Sequence, residues 1–248
     1  MPWNNHQLQS HIKSAKLLDE IKTQSFNFIK KNPAISESKV QEFIMGKFKE
    51  KNLRLAEHSP IVAFGENTSF VHYFPKSSTK TYNLKPNTCI LIDLWSRLNT
   101  HEAPFADITW MGFYGQKIPT EFQEIFDIVI SARDACLKYL KIQLKKKAMP
   151  TGAELDAVAR TIISKAGYEK NFPHSTGHSL GFISPHGKVA GISCKNNAPL
   201  EKNLGYTIEP GIYLDGKFGA RSEINFYINS QNKIIITTKM QNRLVIIK

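Results

Sequence analysis

Five side chains that can bind divalent metal ions occur in a fixed order along the last two-thirds of this 248-residue sequence: Asp93, Asp107, His178, Glu209 and Glu223. Four carboxylates and one imidazole form an oxygen-rich ligand set, which suits two hard or borderline divalent ions that share bridging carboxylates. Each of the five lies in a short apolar segment. Because a buried carboxylate is costly unless it is paired or binds a metal, the set predicts a metal centre.

The individual ligands also have structural alternatives. Asp93 could be a buried acid that pairs with Arg97, and His178 alone would more often be a structural residue than a ligand. Glu223 could form an ion pair with Arg221. Alternation argues against that last reading, because strand residues two apart face the same side, and both can therefore face the site.

The elements that must position these residues follow from periodicity and from capping patterns. Apolar residues recur at helical spacing from about Leu8 to Lys31, and beyond Pro33 they recur in a segment that Ser36 can cap. Capping-box patterns predict further helices that begin near Thr120 and Thr151, the second ending near Gly167. Strands are predicted at Ser59–Gly65, Asn87–Trp95, Asp107–Phe113, Tyr206–Leu214, Ala220–Ile228, Lys233–Thr238 and Leu244–Ile247. Two helices followed by strands, twice, favour a duplicated α+β architecture.

Composition narrows the class of protein. The net charge of +12 comes from 33 Lys+Arg against 21 Asp+Glu, but the lysines are dispersed, so no nucleic-acid partner is expected. Three cysteines without a CxxC pair argue against a disulfide framework. The absence of a long apolar run predicts no membrane segment and a cytoplasmic location. No linker-like stretch divides the chain, so a single domain over residues 1–248 is expected.

The ligand order and its flanks resemble the catalytic domain of the aminopeptidase P, prolidase and methionine aminopeptidase group, the "pita-bread" metallopeptidases of family M24. The resemblance runs from about Ser59 to the C-terminus and, more weakly, through the N-terminal helices. It is carried by Ile61–Asn67 followed by His72, and by the segments His174–His178, Ile208–Tyr213 and Arg221–Asn225. It implies duplicated helix-helix-strands halves around a curved antiparallel sheet. With N-terminal helices at about residues 8–50, no separate N-terminal creatinase-type domain is expected.

The resemblance also implies a role for each ligand. Two divalent ions are expected, with Mn²⁺ as the first choice and Co²⁺, Zn²⁺ or Fe²⁺ as alternatives. Asp93 would hold one ion, Asp107 and Glu223 would bridge, and His178 and Glu209 would hold the second ion. Glu209 would in addition move a proton from the metal-bridging water, which attacks as a hydroxide, to the leaving amine.

The same resemblance assigns the residues around the ligands. His72 and His186 would contact the substrate or its tetrahedral intermediate, and His174 would line the pocket. Arg221 would orient Glu223 or the substrate. The arginine favours the Xaa-Pro aminopeptidase branch and therefore cleavage of Xaa-Pro bonds at the N-terminus of peptide substrates. Creatinase-like hydrolysis of a small guanidino compound and non-catalytic binding of a peptide or protein are the alternatives, and a homodimer is left open.

Overall fold

The computed structural model describes residues 2–73 and 83–248, and its chain order repeats two helices followed by strands. The first half contains α1 (Asn5–Lys31), α2 (Glu37–Glu50), β1 (Leu53–Arg54), β2 (Ile61–Phe64), β3 (Thr88–Leu98) and β4 (Ala106–Tyr114). The second half contains α3 (Thr120–Lys145), α4 (Gly152–Lys165), β5 (Tyr206–Ile208), β6 (Gly211–Leu214), β7 (Phe218–Arg221), β8 (Ile224–Ile228), β9 (Ile234–Ile236) and β10 (Val245–Ile247). The predicted α+β class is confirmed. Within the two described ranges, none of the helices combines the length and hydropathy that a bilayer-crossing segment requires.

Three of the predicted helix ends are confirmed. The Ser36 side chain accepts a hydrogen bond from the backbone of Lys39 and so caps α2. Thr151 and Glu154 form a reciprocal capping box at the start of α4, with hydrogen bonds of 3.1 and 2.7 Å. Beyond the end of α4, Gly167 has a φ of 88°, the left-handed conformation that glycine adopts at low cost.

The capping box predicted at Thr120 is wrong. The residue before the first turn of α3 is Pro119, which has an extended backbone but no side chain that can accept a hydrogen bond. Thr120 is therefore already inside the helix, one position too late to cap it. Gln123, the predicted partner, donates instead to Asp127 one turn further on.

Strand β3 lies between two apolar clusters, and its alternate side chains point into one cluster or the other. Ile90, Ile92 and Leu94 pack in the cluster that contains α1 and α2. Asp93 and Trp95 point to the opposite face of the strand, towards the second half of the chain. Both β2 and β4 pair antiparallel with β3, whereas β10 joins β4 in parallel, so the sheet is mixed at this edge.

The strands of the second half form an antiparallel ribbon, and their pairing is interrupted at Glu209 and Glu223. Strand β5 pairs with β8 and β6 pairs with β7, and the two ladders stop on either side of Glu209 and Glu223. The segments predicted as continuous strands from Tyr206 and from Ala220 are therefore each broken in two. Pro210, which lacks an N–H, follows Glu209 at the break. The interruption leaves both carboxylates beside the sheet of the first half.

A buried histidine ties the first helix to the strands that carry the site. His11 is fully buried, with Nδ1 2.9 Å from the carbonyl oxygen of Phe105 and Nε2 2.8 Å from the hydroxyl of Thr237. Because the carbonyl can only accept, Nδ1 carries the proton of the neutral ring. Burial lowers the pKa of His11 to about 4, and the hydrogen bond to Phe105 offsets only part of that effect.

The His11 ring gives the fold a specific sensitivity to acid. Since its pKa is lower in the folded than in the unfolded chain, its contribution to stability is complete above pH 6.5 and is lost as the pH falls towards 4. A shift of this size corresponds to about 3 kcal/mol. We expect His11→Gln to be less stable than the parent at pH 7 and the difference to shrink at pH 4.5, as measured by urea unfolding. A difference that does not change with pH would contradict this assignment.

Candidate metal centre

The five predicted ligands converge on one cleft of about 1130 Å³, although they come from both halves of the chain. Asp93 and Asp107 lie on the paired strands β3 and β4, at the rungs Asp93–Thr109 and Trp95–Asp107. Glu209 and Glu223 lie at the break in the ribbon. Of the four carboxylates, Asp93, Asp107 and Glu223 are buried and Glu209 is partly buried.

An asparagine connects the two halves at the site. The side chain of Asn225 accepts a hydrogen bond of 2.9 Å from the N–H of Asp107 and donates one of 2.7 Å to its carbonyl oxygen. The amide therefore completes the backbone hydrogen bonding of β4 on the edge that faces away from β3. This holds Asp107 opposite Glu223, two residues before the asparagine in the chain.

His178 is placed by a segment that runs alongside β5. The N–H of Thr207 donates to the carbonyl of His178, and the N–H of Glu209 donates to the carbonyl of Thr176, at 2.9 and 2.7 Å. Gly177, between the two acceptors, allows this approach, because a Cβ there would lie 2.2 Å from the carbonyl oxygen of Thr207. The imidazole is therefore fixed beside the Glu209 carboxylate by backbone contacts.

The distances between the ligand atoms are those of a potential metal centre. His178 Nε2 lies 3.2 Å from Glu209 Oε1 and 3.7 Å from Asp107 Oδ2. One ligand atom from each of Asp107, His178 and Glu223 lies within 4.8 Å of the other two. The structure thus brings these four residues together, and it places Asp93 in the same cleft.

The residues present fit a bound cation. Three buried carboxylate oxygens, Asp93 Oδ1, Asp107 Oδ1 and Glu223 Oε1, have no hydrogen-bond partner among the described residues. A buried, unpaired carboxylate oxygen is strongly unfavourable, and a divalent ion satisfies it directly. The donor set therefore suits divalent metal ions.

Burial shifts the pKa of each of the five predicted ligands. It raises the pKa values of Asp107 and Glu223 well above their ordinary range, and the neighbouring acids raise them further. Burial also raises the pKa values of Asp93 and Glu209, although the Arg221 guanidinium opposes this. The pKa of His178 is lowered to about 4 by burial, so the ring is neutral. Its Nδ1 donates to the carbonyl of Ser179, which leaves the Nε2 lone pair directed at the carboxylates.

Arg221 is fully engaged inside the protein, and its direct carboxylate partner is Asp93. The guanidinium forms a short ion pair with Asp93 Oδ2, so Arg97 is not the partner of this acid. Its Nε donates to Thr109 Oγ1 at 3.0 Å, and Thr109 donates in turn to Glu223 Oε2 at 2.9 Å. The predicted influence of Arg221 on Glu223 thus passes through a threonine hydroxyl. Thr109, two residues after Asp107 on the same strand face, could have been found by alternation.

The three histidines predicted to contact the substrate or line its pocket lie at different depths in the cleft. The ring of His186 lies 4.1 Å from that of His178, on the rim of the cleft, and His72 is exposed in the cleft lining. His174 is further from the carboxylates, with Nε2 2.8 Å from the hydroxyl of Tyr213. That hydroxyl also accepts a hydrogen bond of 3.0 Å from Arg221, so Tyr213 links the two. Tyr213 was not identified from the sequence, where a tyrosine in a strand looks like an ordinary core residue.

Substitution of one predicted ligand should affect the stability of the metal-free protein and its affinity for metal in different ways. We expect Glu223→Gln to leave the metal-free protein at least as stable as the parent, because the amide removes a buried acid whose pKa is raised. The same variant should lose most of the stabilisation by Mn²⁺, which for the parent is about 2.7 kcal/mol at 100 times the Kd. Thermal unfolding with and without Mn²⁺ measures both effects.

The control for this experiment is Glu42→Gln, which changes the same charge on the exposed face of α2. It should keep the full response to Mn²⁺. An unchanged metal response of Glu223→Gln would exclude Glu223 as a ligand.

Comparison with known proteins agrees with this geometry. The sequence model of metallopeptidase family M24 matches residues 9–230. An uncharacterized peptidase of Staphylococcus aureus is 29% identical over 225 residues, which are 91% of this chain and 59% of that protein. The chain thus spans less than two-thirds of the length of this curated relative.

Solved structures show the same fold. The X-Pro aminopeptidase of Thermotoga maritima superposes with a TM-score of 0.85 at 27% identity, over 99% of this chain and 64% of that one. The prolidase of Thermococcus sibiricus superposes with a TM-score of 0.83 at 27% identity, over 98% and 61%. The expected pita-bread architecture is confirmed. The match of the family model over most of the chain, together with this fold, shows that the chain belongs to metallopeptidase family M24.

Proposed function

We propose that this chain carries the catalytic site of a metal-dependent peptidase that removes the N-terminal residue from peptides, with preference for an Xaa-Pro bond. The observation that carries the proposal is the cluster of buried carboxylates around a neutral His178, with three carboxylate oxygens unpaired. Two similar proteins of known structure are an X-Pro aminopeptidase and a prolidase, which supports the preference for proline. The chain spans only part of those proteins, so the substrate of the whole protein belongs to the proposal.

Two divalent ions fit the ligand set, and we propose Mn²⁺ for both. Asp93 and Asp107 would face one ion, and His178, Glu209 and Glu223 would complete the pair. Ions held there supply a water with a lowered pKa and polarise the peptide carbonyl. Mn²⁺ is favoured because the set is dominated by carboxylates, which suit hard ions.

Glu209 has the position and the protonation behaviour of a general base and acid. Its Oε1 accepts a hydrogen bond of 2.8 Å from the hydroxyl of Thr207, which fixes the carboxylate towards His178. Burial raises its pKa, while Arg221 keeps the shift limited. A carboxyl group whose pKa is moved towards neutral pH can both accept a proton and return it to a leaving amine. His186, on the rim of the cleft, is placed to donate a hydrogen bond as charge develops on the substrate.

The exposed His72 is held by a buried anchor beneath it. Glu37, at the start of α2, is fully buried and accepts a hydrogen bond of 2.6 Å from the hydroxyl of Tyr73, the next residue after His72. Asn67 donates to the same carboxylate and to the Tyr73 hydroxyl, at 3.0 and 2.9 Å. The side chain of Tyr73, the residue after His72, is thus held by two hydrogen bonds, one to Glu37 and one from Asn67. We propose that Glu37 and Tyr73 position His72.

A panel of short peptides tests the activity and its specificity. We expect metal-dependent hydrolysis of Ala-Pro and Ala-Pro-Ala in the presence of Mn²⁺, at least tenfold faster than that of Ala-Ala and Ala-Ala-Ala. Loss of general acid–base catalysis typically costs about 10²–10⁴-fold, so Glu209→Gln should lose at least a hundredfold in kcat. Equal turnover with and without proline would reject the Xaa-Pro preference.

The same panel decides between the proposal and its alternatives. Turnover of creatine in place of the peptides would indicate a creatinase-like enzyme. No metal-dependent turnover of any compound, in a protein that does bind Mn²⁺, would indicate a binding module. The cytoplasmic location, the single domain and a homodimer stay predictions, to be examined on the whole protein.

A double-mutant cycle tests the proposed anchor. We expect Tyr73→Phe to lower kcat/KM for Ala-Pro-Ala by about tenfold, because a less firmly held backbone would displace His72 from its position in the cleft. In a His72→Ala background the same substitution should cost less than twofold. Tyr114→Phe, at the end of β4, serves as the matched control. Equal effects of Tyr73→Phe in both backgrounds would mean that the tyrosine acts on stability alone.

A further inference from the structure

The cleft extends beyond the acidic ligands to a second, basic end. Asp93, Trp95 and Arg97 alternate on one face of β3, and all three line the cleft. At about 3.3 Å per residue, Arg97 lies roughly 13 Å along the strand from Asp93. Arg54 on β1 is the cross-strand partner of Arg97 and lines the same end.

Arg54 and Arg97 are adjacent on the paired strands, and no carboxylate of the described residues forms an ion pair with either. Like charges directly opposite each other on paired strands are destabilising, so the arrangement is unfavourable unless an anion offsets it. Glu57, which lines the same part of the cleft, is exposed and forms no ion pair with a described residue.

Arg97 retains hydrogen-bonding capacity that the described residues do not use. Its Nη1 donates to two carbonyls of its own loop, those of Thr100 at 3.0 Å and Leu98 at 3.1 Å. Its Nε is buried and has no partner among the described residues. Desolvation and the charge of Arg54 lower the pKa of Arg97, as expected where two cations share a concave surface without a counter-ion. Guanidinium groups in such a position are suited to a carboxylate.

The middle of the cleft is apolar. Trp95, which is only 8% exposed, lies between the acidic ligands and the basic end, and Phe182 and Val189 contribute to the lining. The cleft therefore has acids at one end, apolar side chains in the middle and cations at the other. A short peptide has the same order of groups, with an amine at its start and a carboxylate at its end.

We infer that Arg54 and Arg97 form a subsite that binds a carboxylate of the peptide substrate, at the end of the cleft opposite the metal ligands. The carboxylate comes from the free C-terminus of a short peptide or from an Asp or Glu side chain within it. An extended chain that spans about 13 Å contains roughly four residues, so a free C-terminus fits best in peptides of three to five residues. This inference rests on the proposed peptidase function, because the metal ligands must hold the other end of the substrate.

A comparison of peptide acids and amides tests the subsite. Charge-assisted hydrogen bonds contribute about 1.5–3 kcal/mol, which corresponds to at least roughly tenfold in binding. The parent should therefore show a KM at least tenfold lower for Ala-Pro-Ala-Ala than for its C-terminal amide. Ala-Pro-Ala-Glu amide and Ala-Pro-Glu-Ala amide, which carry only a side-chain carboxylate, distinguish the two sources. Recovery of a low KM by either amide would assign the subsite to acidic side chains.

Substitution of the arginines supplies the decisive comparison. Arg97→Gln, and Arg54→Gln to a smaller extent, should raise the KM of the preferred carboxylate peptide to that of the uncharged amide. Arg243→Gln removes one exposed positive charge near the C-terminus and should keep the discrimination. Equal KM values of the parent for all four peptides, or discrimination that persists in Arg97→Gln, would overturn the inference.

A binding measurement separates a failed subsite from a failed peptidase assignment. Calorimetric titration of the Mn²⁺-loaded parent requires no turnover when Ala-Pro-Ala-Ala, its amide and both Glu-containing amides carry a methylene in place of the carbonyl of the Ala-Pro bond. Tighter binding of the acid, abolished by Arg97→Gln, would support the subsite even if no peptide is hydrolysed. Equal binding of acid, amide and both Glu-containing amides would reject the subsite while leaving hydrolysis of Ala-Pro to be judged on its own.

Discussion

The concentration of negative charge around His178 is the constraint on which the rest of the site depends. Three buried carboxylates and the partly buried Glu209 share one end of the cleft, and Arg221 is the cation that pairs directly with one of them. Burial raises the pKa of each carboxyl group, so the metal-free arrangement is electrostatically strained. Divalent ions relieve this strain, because they bind the carboxylate oxygens that have no hydrogen-bond partner among the described residues.

The fold is arranged so that this costly cluster is held by groups other than the ligands. Asn225 fixes the backbone of Asp107, Thr109 connects Arg221 to Glu223, and Thr207 holds Glu209. The contacts of Asn225 and Thr109 join the two halves of the chain, whereas that of Thr207 lies within the second half. They keep ligand geometry independent of the metal, a condition for a preorganised site.

The cleft as a whole is polarised, and this polarity relates the proposed chemistry to substrate choice. Acidic residues gather where β3 and β4 face the broken ribbon, whereas Arg54 and Arg97 lie where β3 leaves the core. Alternate residues of β3 contribute to both ends of the cleft, Asp93 to the acidic end and Arg97 to the basic end, with Trp95 between them. A substrate that matches this order of charges would be oriented before any bond is broken, and orientation is one way in which binding energy lowers the barrier to reaction.

The sequence by itself determined the family and the element order and predicted the ligand set, because each depends on local pattern: apolar periodicity, capping residues and acids within apolar strands. The predicted continuous strand from Tyr206 to Leu214 missed the break after Ile208, although Pro210, which lacks an N–H, is a local signal for it. The capping pattern failed at Thr120, where a one-residue shift decides whether a side chain can cap. Only the tertiary structure decided that Arg221 pairs with Asp93 and not with Glu223, and that the buried Nε of Arg97, at the far end of the cleft, has no partner among the described residues. Asp93 and Arg221 are separated by 128 positions and come into contact through the packing of the two halves. No local sequence pattern shows which cation reaches which acid.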